Sequence, residues 1–105
     1  APAVDHLEEI LSVGGIDMVQ WGPADYSMSV GRPGQRFSPE IKAVERRVID
    51  TCLRMGIPPR AEIASPDDAR YYLDLGVRHF SLGSDLAILY GWLSKNGEKL
   101  RALLD

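Results

Sequence analysis

Three times along the chain a glycine is followed by a short, partly apolar segment that ends in a turn carrying an acid. Gly15 precedes Ile16 and the turn Gly22-Pro23-Ala24-Asp25; Gly56 precedes Ile57 and the turn Ser65-Pro66-Asp67-Asp68; Gly76 precedes Val77 and the turn Gly83-Ser84-Asp85. An amphipathic stretch follows the second and third turns at once. After the first, a loop containing Gly31, Pro33 and Gly34 intervenes before Ser38-Pro39-Glu40. Such alternation reads as parallel strands joined by helical crossovers. The expected order is α-β-α-β-α-β-α, an α/β protein.

The helix signals have physical causes. Ser38 and Ser65 are N-cap residues, Pro39 and Pro66 occupy the first helical position, and the acids behind them suit the positive end of the helix dipole. Ile41, Val44, Val48, Cys52 and Met55 recur at spacings of three and four and form one apolar stripe. Gly56 ends that helix, and Gly76 ends the one through Ala69, Tyr72 and Leu73. A helix through Leu7, Ile10 and Leu11 leads into the first strand. The last helix carries Leu86, Leu89, Tyr90, Trp92 and Leu93, with a break expected at Asn96-Gly97 and a short closing helix through Leu100, Leu103 and Leu104.

The strands are expected at Asp17–Trp21, Pro59–Ile63 and His79–Leu82. The second is weakened because Pro58 and Pro59 withhold two ladder donors. Three parallel strands leave two open edges and one bare sheet face. The chain is therefore expected to be part of a larger sheet, either doubly wound or closed as an eight-fold barrel.

The chain is 45% hydrophobic and 26% charged over 105 residues, with a formal net charge of -3. No Lys/Arg stripe is available to neutralise phosphates, so a nucleic-acid partner is not expected. Arg32, Arg36, Arg46, Arg47 and Arg54 read as a solvated face. The single cysteine, Cys52, falls on an apolar helix face and reads as a small buried hydrophobe in a reducing compartment. No apolar run approaches the roughly 20 residues of a membrane span, and with no basic-then-apolar pattern at its start a signal peptide is not expected. A cytoplasmic protein without a membrane partner is expected.

The first turn carries the chemistry. Gly-Pro at the end of a strand followed by an acid sets a carboxylate at the strand's carboxyl end, where α/β proteins bind ligands and metals. Gly22 lets backbone approach a ligand, Pro23 stiffens the turn, and Asp25 is directed either as a hard oxygen ligand or as the cap of the next helix. The bare turn favours capping.

The run Gly15-Ile16-Asp17 through Gly22-Pro23-Ala24-Asp25-Tyr26-Ser27 resembles the Gly-Val-Asp…Gly-Pro-Ala-Asp-Leu-Ser signature of the HpcH/HpaI aldolases. Tyr72-Leu73-Asp74-Leu75-Gly76 and Leu82-Gly83-Ser84-Asp85 resemble that family's final βα unit. The likeness extends over all 105 residues. It implies a (β/α)8 TIM barrel of roughly 250 residues, of which residues 1–105 would be the carboxyl-terminal portion, strands six to eight with their helices. It implies class II, metal-dependent, reversible aldol cleavage of 4-hydroxy-2-oxo acids to pyruvate and an aldehyde, through an enolate held by the cation.

On this resemblance Asp25 is a ligand of Mg²⁺ or Mn²⁺, with Co²⁺ a third candidate. A second carboxylate comes from the end of strand five. Gly22, Pro23, Ala24 and Asp25 bind pyruvate, whose carboxylate takes the N–H groups of Ala24 and Asp25. The catalytic Arg and the proton-handling His come from the amino-terminal half, so no catalytic residue is expected in this segment, and alone it should be inactive. The last helix is exchanged between subunits in the family, which implies a homo-oligomer. Tyr26 stands where the family has Leu, and Arg60-Ala61-Glu62 where many relatives have Gly and aliphatic residues. Glu62 is therefore expected to contact the acceptor aldehyde.

Two other functions are consistent with the residues: a citryl- or malyl-CoA-type lyase on the same barrel, and a non-catalytic α/β binding module. His6 is expected to be exposed, and His79 to be a satisfied structural histidine; neither has a second His or Cys at zinc spacing. Ser84 and Asp85 are expected to cap the last helix, and Trp21 and Trp92 to pack in the core or an interface.

The bare sheet face and the apolar last helix generate a prediction. The 105-residue segment expressed alone should aggregate, dimerise or melt with low cooperativity. A sharp, reversible, concentration-independent melt of a monomer in sedimentation and calorimetry would refute the part-barrel reading.

Overall fold

A computed structural model describes residues 1–105. Its elements are α1 (Pro2–Asp5), α2 (Leu7–Leu11), β1 (Val19–Gln20), α3 (Pro23–Ser29), α4 (Pro39–Arg54), β2 (Pro59–Ile63), a 3-10 turn (Pro66–Asp68), α5 (Ala69–Asp74), β3 (His79–Leu82) and α6 (Asp85–Leu104). The strands form one parallel sheet in the order β1-β2-β3. The α/β class, β2 and β3 are as the sequence predicts.

The helix ends follow the expected chemistry. Ser38, Ser65 and Ser84 each accept an N–H from the first turn, from Ile41, Asp67 and Ala87 at 3.4, 3.1 and 3.2 Å. At the other end of α4, Gly56 takes φ 74°. Its N–H donates to Leu53 O, and the N–H of Ile57 to Cys52 O, the paired bonds of a Schellman stop. Gly76 and Val77 repeat this at the end of α5, donating to Leu73 and Tyr72.

One face of the sheet is covered by helices. The stripe of α4 supplies Ile41, Val48 and Cys52 to a core completed by Leu11 and Trp21, while Ile49 meets Ala61 and Val77 in a second cluster. Burying each Val, Ile or Leu contributes about 1.5–3 kcal/mol, so α4 is the main apolar support of the sheet. Cys52 is fully buried and unpaired, and burial raises its thiol pKa, as a structural cysteine requires.

Four features differ from expectation. The first strand is Val19–Gln20 rather than Asp17–Trp21. The N–H of Val19 reaches Pro58 O at 3.0 Å, but Pro58 and Pro59 have no N–H to return, so the ladder cannot extend toward Asp17. The segment after the first turn is a seven-residue helix, α3, with Pro23 at its start and Ser27 Oγ donating to Ala24 O at 2.8 Å.

The last helix does not break at Asn96-Gly97. Asn96 Nδ2 donates to Trp92 O at 2.8 Å, and the helix runs through Gly97 to Leu104. A helical glycine costs about 1 kcal/mol against alanine, which the strong helix formers Glu98 to Leu103 offset. His79, finally, is exposed and its side chain makes no hydrogen bond, because it falls on the open face of β3.

No residue of α6 is buried. Trp92 is 64% exposed and Leu103 83%, so Trp92 packs in no core within this chain.

A buried acid joins α4 to α5. Glu45 is 2% exposed; it accepts from Lys42 Nζ at 2.7 Å and from Tyr72 O–H at 3.1 Å. Burial pushes the Lys42 ammonium down, but the hydrogen bond and charge of Glu45 outweigh it and the net shift is upward. Burial, then the charge of Glu45, raises Tyr72. Both protons are thus bound more tightly in the fold than in the unfolded chain. Their contribution is complete below about pH 10 and is lost as pH climbs through the raised values. Unfolding followed between pH 8 and 11 should show an alkaline loss that Glu45→Gln reduces; equal losses in both proteins would contradict the role of the acid. Glu45→Ala should cost about 2–4 kcal/mol at neutral pH by removing the acid that both Lys42 and Tyr72 bond and leaving them only the 3.4 Å contact to each other.

Candidate active site

The site grows from the end of β1. Trp21 turns into the core, where its ring meets Tyr26 at 5.0 Å between centroids. Gly22 then caps α3 at φ -110°, a conformation open to any residue, so its value lies elsewhere. A Cβ built on Gly22 would stand 3.0 Å from Asp25 Oδ2. The missing side chain makes room for the carboxylate to fold back over the turn.

Asp25 lies in the first turn of α3 without capping it. Its side chain accepts no hydrogen bond, forms no ion pair and is exposed. The capping role favoured by the bare turn is therefore not what this carboxylate does. Ala24 and Asp25 carry the unpaired N–H groups of a helix start, whose first bond is Tyr26 N–H to Gly22 O at 2.9 Å. Pro23 fixes φ at the first helical position, and the buried Ser27 hydroxyl ties the turn from behind.

The carboxyl ends of the three strands border one open cleft of about 1260 Å³. Pro23 reaches it from β1, Glu62, Ile63 and Ala64 from β2, and Gly83 and Ser84 from β3; Trp92 and Lys95 of α6 form the opposite side. Asp25 does not line it. Gly83, at φ 68°, donates to Ile63 O at 2.7 Å and holds the β2 and β3 ends together.

Glu62 is exposed at that mouth with no hydrogen-bond or ion-pair partner. Arg60, two residues below on the same face, is committed to Gln20: its Nε donates to Gln20 Oε1 at 2.7 Å, and Nη2 donates to the same oxygen. Sequence reasoning missed this clamp, because it follows from the cross-strand register that sets Gln20 beside Arg60.

Ser84 and Asp85 cap α6 as expected, Asp85 Oδ1 accepting the Leu86 N–H at 2.7 Å. His6 is exposed beside Glu9 at 3.1 Å. No three His, Cys, Asp or Glu side chains converge on a common point. A cation at Asp25 would therefore draw its remaining ligands from water, substrate or residues other than these. The donor type suits a hard divalent cation: one carboxylate without a hydrogen-bond or ion-pair partner, on a turn stiffened by Pro23.

The profile of the HpcH/HpaI aldolase/citrate lyase family matches residues 1–90. The chain belongs to this family. Among curated relatives, hydroxypyruvate/pyruvate aldolase of Delftia acidovorans is 36% identical over 91 residues, covering 82% of this chain and 32% of that protein. The 2-dehydro-3,6-dideoxy-6-sulfogluconate aldolase of Pseudomonas putida is 34% identical over 103 residues, 98% of this chain and 39% of that protein. The crystal structure of an HpcH/HpaI aldolase from Desulfitobacterium hafniense superposes with a TM-score of 0.85 at 25% identity, over 94% of this chain and 39% of that one. The chain thus spans about a third of the length of the relatives it matches.

Proposed function

We propose that residues 1–105 are the carboxyl-terminal portion of a (β/α)8 barrel, supplying strands six to eight. The whole protein is then a class II aldolase that cleaves 4-hydroxy-2-oxo acids reversibly to pyruvate and an aldehyde. The observation that carries this reading is the unpartnered Asp25 carboxylate at the carboxyl end of β1, with Gly22 leaving it room. Family membership and relatives named as pyruvate and sulfogluconate aldolases support it.

A divalent cation, Mg²⁺ or Mn²⁺ with Co²⁺ third, would supply Lewis acidity toward the keto oxygen and so acidify the neighbouring C–H. The residues of this chain bind and orient. Asp25 is the ligand, Gly22 and Pro23 fix its direction, and the N–H groups of Ala24 and Asp25 take the pyruvate carboxylate. Glu62 at the cleft contacts the acceptor aldehyde. The catalytic Arg and the His that handles protons belong to the other half of the barrel, without which this segment is inactive.

The exposed apolar residues of α6, Leu89, Trp92 and Leu93 among them, fit a homo-oligomer in which a neighbouring subunit covers that helix. No helix is long and apolar enough to cross a membrane, and the acidic balance offers nucleic acid no surface. We assign the protein to the cytoplasm. A citryl- or malyl-CoA-type lyase is the second reading, favoured by the citrate lyase branch within the matched family; turnover of a simple 4-hydroxy-2-oxo acid without a CoA thioester separates the two.

Asp25→Ala in the intact protein should lower metal-dependent aldol cleavage by more than about 100-fold. Its stability should stay within about 0.5 kcal/mol, since the residue is exposed and unbonded. Wild-type cleavage in that variant would sink the assignment. Leu89→Glu should shift the intact protein to a smaller species in sedimentation velocity; an unchanged sedimentation coefficient would remove α6 from the subunit contact.

A further inference from the structure

Along β2, Pro59, Ala61 and Ile63 turn toward the helices, and Arg60 and Glu62 toward the open face. The register sets Gln20 and His79 on either side of Arg60, and Ser81 beside Glu62. Neighbours in a parallel ladder share a face. That face is therefore a row of Gln20, Arg60 and His79, with Glu62 and Ser81 one layer nearer the strand ends. Parallel strands of this class ordinarily carry branched aliphatic residues there. Here all five are polar. Sealing five such side chains against apolar neighbours would be costly unless each found a polar contact.

Arg60 and Glu62 stand about 6.6 Å apart along one strand, close enough for their side chains to pair, yet they do not. Gln20 draws the guanidinium sideways through Nε and Nη2. On the far flank stands His79, not an acid. The Nη1 donors of Arg60 and the carboxylate of Glu62 thus remain separate, and Glu62 opens onto the cleft beside Gly83 and Ser84.

We propose that Gln20 is a positioning residue and that Arg60 and Glu62 form a subsite for a hydroxyl-bearing tail of the acceptor aldehyde. One hydroxyl donates to Glu62 while a neighbouring hydroxyl oxygen accepts from Arg60. An alkyl aldehyde of equal size would strip water from both charges and return no hydrogen bond, which is how such sites reject the analogue lacking the polar group. The inference rests on the aldolase reading and assigns Gln20 and Arg60 roles beyond it.

The test uses the intact protein, with pyruvate as donor and glyceraldehyde against butanal as acceptors. The ratio of kcat/KM for the two should fall about 10–100-fold in Glu62→Leu and in Arg60→Met, with the KM for pyruvate unchanged. Gln20→Leu should lower the ratio as well, because Arg60 is freed to neutralise Glu62, whereas Gln20→Glu, which keeps an acceptor oxygen for Arg60, should preserve it. Adding Gln20→Leu to Arg60→Met should change nothing further. Should Arg60→Met fail to fold, Arg60→Lys keeps the charge but loses the fork, and the same fall is expected. Unchanged ratios in the Glu62 and Arg60 variants while they still turn over would overturn the subsite alone. Absence of metal-dependent condensation with any aldehyde in the unmodified protein would overturn the proposed function and the subsite together.

Discussion

The packing of the α4 stripe against one face of a three-stranded parallel sheet is the interaction on which everything else depends. Ile41, Val48 and Cys52 meet Trp21 and Leu11, and Ile49 meets Ala61 and Val77. With Trp21 drawn into that core, the chain must reverse direction immediately after it, and Gly22 begins α3 there. The same packing sends the alternate residues of each strand, Gln20, Arg60, Glu62 and His79, to the opposite face. The placement of Asp25 and the gathering of these polar side chains on the open face are therefore two consequences of one hydrophobic contact.

Much of this was legible because local chemistry and tertiary packing agree. Ser38, Ser65 and Ser84 cap where a hydroxyl oxygen before a helix should. Gly56 and Gly76 stop α4 and α5 because a left-handed residue is needed there. The extents of β2 and β3 matched residue for residue. The failures have two causes, partners far away in sequence for β1 and Arg60 and summed local propensity for α6. The length of β1 depends on Pro58 and Pro59, just before and at the start of β2. The continuity of α6 reflects the summed propensity of its last residues rather than one Asn-Gly pair. The orientation of Arg60 depends on the register that pairs it with Gln20, forty residues away.

For the candidate site, position was readable and bonding was not. Gly-Pro-Ala-Asp located a carboxylate at a strand end, but the sequence could not distinguish a cap from a free ligand. The absence of any partner for Asp25 sets the cap aside, and the space at Gly22 leaves its carboxylate room. The exposed apolar length of α6 and the open polar face follow from composition, and both surfaces fit the larger assembly proposed for this chain.

The central claim is that Asp25 is a free carboxylate held ready for a hard divalent cation. Titration of the intact protein with Mn²⁺, followed by the electron paramagnetic resonance of the free ion, tests it without recourse to activity. One site per chain in the wild-type protein and its loss in Asp25→Asn, with both proteins equally folded, is the predicted result. Equal Mn²⁺ binding by the two would contradict it.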